Sequence, residues 1–351
     1  MNKRTFAVLA AALTFIVGVA IAKLTLPGLR NTPASPKKTE IQLSNYRLSG
    51  PYEYENLTIF LVHGPDQSFS GPFTPLQEAM ERQIVIVHET GEVNELAIEN
   101  VSKSEEVFVQ AGDIVKGGRQ DRVLAVDLIV PANSGRIPID AFCVEHSRWS
   151  QRGTETVNTF TLTEMAPSKS LKLATRAEIS QAQVWKQVEK AQEDLSRSVN
   201  ADVRNSDSRS SLQLALENQK VQDSAAKYVT DLSPIIKDRG DVIGFVFAIN
   251  NKLNSADVYP SNAIFTRFWP RLLKAAAIEA VSERVSDEKR EPVSIAAAGD
   301  FFVGAEQGTE EFNEITSRTH MLRRDSEKGV FFETRDMDHG GAWIHRSYLM
   351  N

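Results

Sequence analysis

The residues best suited to chemistry lie close together between positions 113 and 149. Lys116-Gly117-Gly118-Arg119-Gln120 is a glycine corner flanked by cationic and amide side chains, and such a corner can hold an anion such as phosphate. It lacks the glycine and lysine spacing of a P-loop and the helix that follows one. A tight turn or a β-bulge is the simpler interpretation of two adjacent glycines. The sequence leaves both interpretations open.

Three carboxylates in this segment are candidate acids or bases for a hydrolase, because a positioned carboxyl can exchange a proton with a substrate. They are Asp113, Asp121 and Glu145. A second group of residues is suited to binding an anionic ligand. This group comprises Lys116, Gly117, Gly118, Arg119, Gln120, Arg122, Arg148 and Trp149. The pattern assigns no metal ligand and indicates no particular cofactor.

An antiparallel hairpin with its turn at residues 132–135 would bring these side chains together. The register that places Leu124 opposite Cys143 also places Arg122 opposite Glu145. A guanidinium and a carboxylate at the end of an apolar face should pair, because an unpartnered buried charge is costly. The sequence therefore predicts an ion pair between Arg122 and Glu145 beside the glycine corner.

The same register places Asp127 opposite Asp140, on the other face of the hairpin. Facing carboxylates repel unless they are solvated, protonated or bridged by a cation, and solvation at a sheet surface is the favoured interpretation. Cys143 is the only cysteine of the chain, so intramolecular disulfides and cysteine-based zinc sites are excluded. Its position on the predicted apolar face favours packing over a role as nucleophile.

Hydrophobic patterns along the chain predict an α+β protein in which strands and helices cluster rather than alternate. The N-terminal half is β-rich, a sheet or sandwich with a long hairpin at about residues 120–146. A helical segment follows, with one amphipathic helix behind the capping box Thr175-Arg176-Ala177-Glu178 and another from about Ser211 to Thr230. The C-terminal part is smaller and α+β, with strands at 242–249 and 253–259, a helix from Ser261 and a final hairpin at 329–349.

Composition and charge narrow the class of protein. The chain has 351 residues, of which 41% are hydrophobic and 25% charged, values typical of a globular protein. Residues 41–167 contain nine Lys and Arg against eighteen Asp and Glu, and the later segments mix both signs. A nucleic-acid-binding protein usually carries a basic patch, so we expect no nucleic acid partner.

The N-terminus has the features of a targeting segment. Lys3 and Arg4 precede a mostly apolar run, and Ala20-Ile21-Ala22 fits a cleavage site. We interpret residues 1–22 as a signal peptide, or alternatively as a retained or inverted membrane anchor, since basic residues follow the run. Residues 23–40 form a Pro/Ser/Lys-rich linker, and residues 41–351 one large domain with lobes at 41–167, 168–240 and 241–351. The protein is expected to be exported to the periplasm or cell envelope and to meet the membrane only through this segment.

The hairpin segment carries a family resemblance. VFVQAGDIVKGGRQDR and SGRIPIDAFCVEHSRW resemble the signature of the ADP-ribosylglycohydrolase (ARG) and rhodanese-phosphatase-superfamily-associated protein domain. FTPLQEAM, SQAQVWKQV and NNKLNSADVYPSNAIFTRFWPRLLKAAAIEA are similar to its other blocks, so the resemblance spans about 41–349. In that family a glycine is usual at the position of Ser147 and an asparagine is common at that of Asp121. The family name records gene neighbourhoods linked to ADP-ribose and NAD-derived metabolites, and the resemblance implies no established activity or catalytic residue.

Three functions are compatible with these observations. The first is a binding module for a small anionic ligand, such as a nucleotide, an ADP-ribose-like molecule or a sugar phosphate. The second is a hydrolase that uses Asp or Glu as acid and base, with or without a metal. The third is a structural or interaction protein in which the charged residues specify the fold. An open pocket at the glycine corner would favour the first two, and a sealed cluster would favour the third.

Processing of the leader is the first testable prediction. We expect the exported protein to begin at Lys23, because the apolar run is short for a membrane-spanning helix and ends at an A-x-A site. Mass spectrometry of the N-terminal peptide, after expression of the full chain in a Gram-negative host, measures this. Detection of peptides that include Met1 to Arg4 in the mature, membrane-extracted protein would support the retained anchor instead.

Overall fold

Three β-sheets and seven α-helices make up the part of the chain that the computed structural model describes, namely residues 39–67, 73–153, 155, 160–165, 168–284 and 291–351. The strands are β1 Thr39–Gln42, β2 Arg47–Tyr54, β3 Leu57–His63, β4 Thr74–Pro75, β5 Val85–Glu89, β6 Glu95–Asn100, β7 Val107–Val109, β8 Asp113–Gly117, β9 Arg122–Leu124, β10 Leu128–Val130, β11 Ile137–Cys143, β12 Phe160–Met165, β13 Val242–Ile249, β14 Lys252–Val258, β15 Thr309–Glu314, β16 Thr319–Ser326, β17 Gly329–Asp336 and β18 Ala342–Met350. The helices are α1 Leu76–Glu81, α2 Lys169–Arg176, α3 Gln181–Ser198, α4 Leu212–Leu216, α5 Gln219–Leu232, α6 Asn262–Ser282 and α7 Ile295–Ala305, with 3-10 turns at Ser233–Ile236 and Met337–His339.

The largest sheet joins strands from both ends of the described chain. Its nine strands run in the order β1-β2-β3-β13-β14-β18-β17-β16-β15, and every residue of the central strands β3 and β13 is buried. In β3, Leu57, Ile59 and Leu61 pack into the main hydrophobic core, whereas Phe60 and Val62 pack into a second core with α7. A strand that is covered on both faces reads as a continuous apolar run, which explains the sequences LTIFLVH and VIGFVFAI.

The two smaller sheets belong to the N-terminal half. One has six strands in the order β12-β8-β9-β11-β6-β5, and the other has three in the order β10-β7-β4. The helices α2 to α5 follow this half, and the α+β C-terminal part closes the fold, as the sequence predicted. The α+β class and the order of its parts are therefore confirmed.

The predicted hairpin is correct in its strands but wrong in its register. β9 and β11 pair antiparallel, and the structure places Leu124 opposite Ala141 and Arg122 opposite Cys143. The first strand then leaves the sheet, since β10 pairs with β7, while residues 137–140 of β11 pair with β6. The predicted contact between Arg122 and Glu145 is consequently absent, as is the facing pair of Asp127 and Asp140.

The helical segment is also divided differently from the prediction. Thr175 lies in the last turn of α2, and the amphipathic helix α3 begins after Ser180, whose hydroxyl accepts a hydrogen bond from the Gln183 N–H. The second predicted helix is two helices, α4 and α5, interrupted at Glu217 and Asn218. The predicted signal peptide and most of the linker, residues 1–38, lie outside the described residues. Within the described ranges no helix is both long and apolar enough to cross a membrane.

A buried acid–base cluster connects the large sheet to the loop between β9 and β10. The ring of His345 on β18 contacts Asp127 Oδ2 at 2.7 Å and Asp257 Oδ1 at 3.1 Å. Asp127 also accepts hydrogen bonds from the Thr334 hydroxyl at 2.6 Å and the Ala111 N–H at 2.7 Å. Burial alone would lower the pKa of His345, but the two carboxylates outweigh it and raise that pKa to about 9.

The charge on His345 predicts a loss of stability at alkaline pH. The pKa rises from an unfolded value of 6.5 to about 9, so the contribution is complete below pH 6.5 and is lost as the pH rises through 9. A shift of this size corresponds to about 3 kcal/mol. Urea unfolding of the wild type and of His345→Gln across this pH range measures the loss. The free energy of unfolding should fall further in the wild type than in the variant, because the other groups titrate in both proteins and cancel in the difference. Imidazole nitrogen shifts that indicate a neutral His345 at pH 7.5 would contradict the prediction, whether or not the variant folds.

Candidate functional site

The glycine corner does hold anions, but they are carboxylates of the chain itself. The Gly117 N–H donates to Asp121 Oδ1 at 3.0 Å, and the Arg119 N–H donates to Glu89 Oε1 at 2.6 Å. Gly117 and Gly118 have positive φ values of 125° and 54°, which glycine adopts at little cost. The geometry is therefore a tight corner in which the N–H groups of Gly117 and Arg119 are already occupied.

Asp121 and Glu145 form the centre of a buried charge network, which we call the carboxylate pair. Neither side chain is exposed, at 0% each. Arg152 Nη1 contacts Asp121 Oδ2 at 2.9 Å and Glu145 Oε1 at 3.0 Å, and Arg148 Nη2 contacts Glu145 Oε2 at 2.6 Å. The Ser211 hydroxyl donates to Asp121 Oδ2 at 2.8 Å. Two carboxylates thus face two guanidinium groups, and Arg152 also contacts a third carboxylate, that of Glu155, at 2.9 Å.

The environment pushes the two acids of the carboxylate pair in opposite directions. Burial raises the pKa of Asp121, and the neighbouring charge of Glu145 adds to this, although Arg152 opposes it. Burial would also raise the pKa of Glu145, but the hydrogen bond from Arg148 and further donors outweigh it and lower that pKa. Opposite pKa shifts of two neighbouring acids occur in catalytic acid–base pairs and also in structural ion networks.

Arg148 also closes the glycine corner from the other side. Its Nη1 donates to the Gly118 carbonyl at 3.1 Å, and its Nη2 donates to the Gly117 carbonyl at 3.3 Å. Ser147, just before it, has a φ of 75°, so the left-handed turn persists although the residue is not glycine. Glycine adopts such a conformation at lower cost than serine.

The other predicted site residues are also engaged with the protein. Lys116 Nζ contacts Glu217 Oε2 at 2.8 Å, and the Gln120 side-chain amide donates to the Glu145 carbonyl at 3.1 Å. Asp113 is fully buried and accepts from Arg271 Nη1 at 2.6 Å. Burial raises the pKa of Asp113, against the effect of that guanidinium.

Arg122 is placed differently from the prediction. Its Nε donates to the Val93 carbonyl at 3.0 Å, its guanidinium lies 5.6 Å from the ring centroid of Trp149, and burial lowers its pKa. Arg119 lies 5.3 Å from the same ring. Trp149 is 42% exposed, so this indole lies near two arginines at the surface rather than in a core.

Cys143 is buried, as its predicted packing role requires. Its Sγ donates to the Glu145 carbonyl at 3.1 Å, and burial raises the pKa of the thiol. A protonated, buried thiol is a poor nucleophile. Among the described residues no cluster of three or more His, Cys, Asp or Glu side chains is arranged to hold a metal ion.

A pocket of about 630 Å³ lies beside the carboxylate pair, and we call it the basic pocket. Three of its lining side chains are cationic, Lys186, Arg204 and Arg209, and one is acidic, Glu189. The ring of His146 packs edge-on against the indole of Trp185, with centroids 4.3 Å apart, and both rings line the pocket. The remaining lining residues are Ala182, Val188, Gln192 and Ser210.

The carboxylate pair positions the wall of the basic pocket through the backbone. Glu145 and Ser211 form an isolated antiparallel β-bridge, and the residues next to them, His146 and Ser210, line the pocket. The Ser210 hydroxyl also donates to the His146 carbonyl. The buried network therefore fixes the two chain segments that face each other at the pocket.

Sequence reasoning missed the residues of the basic pocket. Trp185 and Lys186 lie within SQAQVWKQV, where the helical period of the apolar residues marks only the buried face of α3. Arg204, Arg209 and Ser210 lie in the polar segment before α4, whose composition indicates a loop but not its partner. The available signal was a tryptophan and a lysine beside the apolar stripe of α3.

Removing one guanidinium from the carboxylate pair should destabilise the protein strongly. Arg152→Met leaves two buried carboxylates facing one cation, and we expect the free energy of unfolding to fall by about 3–5 kcal/mol. Urea denaturation at neutral pH measures the change. The matched control is Arg197→Met, because Arg197 pairs with Asp194 at 3.0 Å but has a side chain that is 74% exposed. We expect the control to cost less than about 1 kcal/mol, and equal losses for both variants would contradict this account.

Comparisons with known proteins agree with the resemblance in the sequence. A family profile described as the ARG and Rhodanese-Phosphatase-superfamily-associated Protein domain matches residues 45–349. No curated protein and no solved structure matches the chain. Because the profile covers most of the 351 residues, the chain belongs to the ARG and Rhodanese-Phosphatase-superfamily-associated Protein domain family.

Proposed function

We propose that this protein binds a small anionic ligand in the basic pocket. The observation that carries the proposal is the lining of the pocket, in which Lys186, Arg204 and Arg209 are cationic and Glu189 is the one acidic residue. The carboxylates that pair with the two arginines lie outside this lining. Charge-assisted hydrogen bonds from such side chains are the usual means of holding phosphate and carboxylate groups. The expected ligand class is a nucleotide, an ADP-ribose-like molecule or a sugar phosphate.

The size and the aromatic wall of the basic pocket favour the nucleotide members of this class. Its volume of about 630 Å³ lies within the range of small-molecule sites. An indole offers a flat apolar face to a base, and stacking of this kind tolerates different bases. Trp185 and His146 supply that face beside the three cations.

The cations of the basic pocket differ in how they are held. Arg209 contacts Asp202 at 2.9 Å and Arg204 contacts Glu193 at 3.7 Å, so surface carboxylates hold both arginines. Lys186 forms no ion pair with any described residue and is exposed. We therefore expect Lys186 to contribute most to a bound phosphate, with an affinity that falls as salt is added.

The proposal assigns no catalytic role to Asp113, Asp121 or Glu145. A general acid or base must come within hydrogen-bond reach of its substrate, and these three side chains have 0% exposure and guanidinium partners. In this proposal the carboxylate pair positions the pocket. Lys116, Gln120 and Arg148 contact other groups of the protein and do not contact the ligand. The carboxylate pair is sealed, which is the arrangement expected of a structural or interaction protein at the glycine corner, so the binding proposal rests on the basic pocket. The hydrolase and the interaction-protein alternatives stay predictions, as does export to the cell envelope.

Ligand-dependent stabilisation tests the proposal. Thermal unfolding of the purified protein should shift upward with ADP-ribose, ADP or NAD, and calorimetric titration should then give the affinity. Lys186→Gln combined with Arg209→Gln should weaken binding about tenfold or more, because each lost charge-assisted hydrogen bond is worth about 1.5–3 kcal/mol. Absence of any shift across ADP-ribose, ADP, NAD, AMP and ribose phosphate would overturn the proposal.

The control for the lysine is Lys190→Gln, which makes the same charge change as Lys186→Gln alone, one turn further along α3. Lys190 contacts Asp194 at 2.5 Å and does not line the basic pocket. We expect this variant to bind as the wild type does. If Lys190→Gln weakened binding as much as the double variant, the effect would be a general one of net charge, and the basic pocket would not be the site.

A further inference from the structure

A second cavity, of about 410 Å³, lies where the turn between α2 and α3 meets the hairpin of β15 and β16, and we call it the turn cavity. It shares no lining residue with the basic pocket. Its inner wall includes the buried residues Val126, Phe142 and Arg176. At its mouth lie three exposed carboxylates, Asp140, Glu311 and Glu314.

Arg176 is a buried cation for which the described residues provide no hydrogen-bonded anion. The residue is 6% exposed and lines the turn cavity, and its Nε and Nη2 have no hydrogen-bond partner among the described residues. The nearest carboxylate oxygen, Asp127 Oδ2, is 3.9 Å away and already accepts from His345 at 2.7 Å. The guanidinium lies 4.1 Å from the ring centroid of Phe332, which supports it but accepts no hydrogen bond.

This arrangement contrasts with the carboxylate pair. There each buried guanidinium contacts carboxylate oxygens at 3.0 Å or less. A buried charged donor that lacks such a partner costs free energy, and an anionic group in the cavity would supply the missing acceptor. The inner end of the turn cavity is therefore suited to one negative charge.

The mouth of the turn cavity favours the opposite charge. Asp140, Glu311 and Glu314 form no ion pair with any described residue. Arg323, which also lines the cavity, is already held by Asp325 at 2.8 Å and donates to the Ala177 carbonyl at 3.1 Å. A cationic group at the mouth would therefore meet three carboxylates that form no ion pair within the described part of the chain.

Apolar side chains make up much of the remaining lining, which also includes the amides of Asn94 and Asn313. Val126, Phe142, Ile315 and Met321 are among these apolar residues. The side-chain amide of Gln181 is committed to both the N–H and the carbonyl of Cys143, at 2.9 Å and 2.8 Å. An occupant should thus carry its charges at its ends and an aliphatic chain between them.

We propose that the turn cavity binds a small zwitterion with a carboxylate at the Arg176 end, a short aliphatic chain, and an ammonium or guanidinium group at the acidic mouth. Ile179, at the rim, has a φ of 49° and is 68% exposed. A β-branched residue rarely adopts this conformation, and such strain is often found beside ligand sites. The inference is independent of the function proposed for the basic pocket.

Three probes of matched length test the zwitterion proposal on the purified protein. They are δ-aminovalerate, which has both charges, valerate, which lacks the cation, and pentylamine, which lacks the carboxylate. Calorimetric titration or ligand-observed NMR should show δ-aminovalerate binding at least about tenfold tighter than either other probe, because each end adds a charge-assisted contact. Equal binding of the three probes, or no binding of δ-aminovalerate, would overturn the proposal.

Variants assign the two ends. Arg176→Met should abolish binding of δ-aminovalerate, with the folded state checked by circular dichroism. Glu311→Gln with Glu314→Gln, which changes only exposed residues, should remove most of the preference for δ-aminovalerate over valerate and leave valerate unchanged. The matched control is Glu310→Gln, because Glu310 lies on the same strand, contacts Arg324 at 2.6 Å and does not line the cavity.

The outcomes separate the two proposals. Loss of the preference in Glu310→Gln as well would show a general charge effect and would overturn the assignment of the mouth. Lys186→Gln with Arg209→Gln should leave δ-aminovalerate binding unchanged, so failure of either site is visible while the other is intact. If these basic-pocket substitutions abolished δ-aminovalerate binding, the ligand would lie in the basic pocket, and the turn cavity would not be its site.

Discussion

Pairing of the buried carboxylates of Asp121 and Glu145 with guanidinium groups is the constraint on which this half of the molecule depends. Both acids have 0% exposure, and an ionised carboxylate without a partner is too costly to keep inside a protein. The partners come from one short segment, since Arg148 and Arg152 follow Glu145 by three and seven residues. That segment must therefore fold back over the glycine corner, where the carbonyls of Gly117 and Gly118 accept from Arg148.

This constraint explains why sealed charges lie directly beside an open pocket. A buried ion network has few alternative arrangements, because any movement breaks several contacts at once. The chain uses this property by placing His146 and Ser210 next to the network residues Glu145 and Ser211. The buried acids and arginines, which could exchange protons or hold an anion, thus have a structural role. The neighbouring residues that they position line the pocket.

The sequence predicted the elements better than it predicted their partners. The strands 122–124 and 141–143 pair as expected, but an apolar pattern of period two is unchanged when the register shifts by two residues, so it could not distinguish Ala141 from Cys143 as the partner of Leu124. Beyond this short pairing the first strand leaves the sheet, and Asp127 contacts His345 across 218 positions, which no local pattern reveals. At the helices a local signal did exist. Ser180-Gln181-Ala182-Gln183 is a capping box as good as the one at Thr175, and the structure uses Ser180.

The arginines show most clearly what a sequence leaves undetermined. Arg122, Arg148, Arg152 and Arg176 are all buried or nearly so, yet only Arg148 and Arg152 have carboxylate oxygens within hydrogen-bond distance. A guanidinium on a long side chain can reach many partners, so residue type and spacing do not reveal which arginine is satisfied. The number of hydrogen-bond acceptors around each guanidinium in the structure does reveal it. Among the described residues Arg152 has its full complement, whereas Arg122 and Arg176 each have two side-chain nitrogens without a hydrogen-bond partner. Arg176 also lines the turn cavity, which is the arrangement expected where the missing acceptor arrives with a ligand.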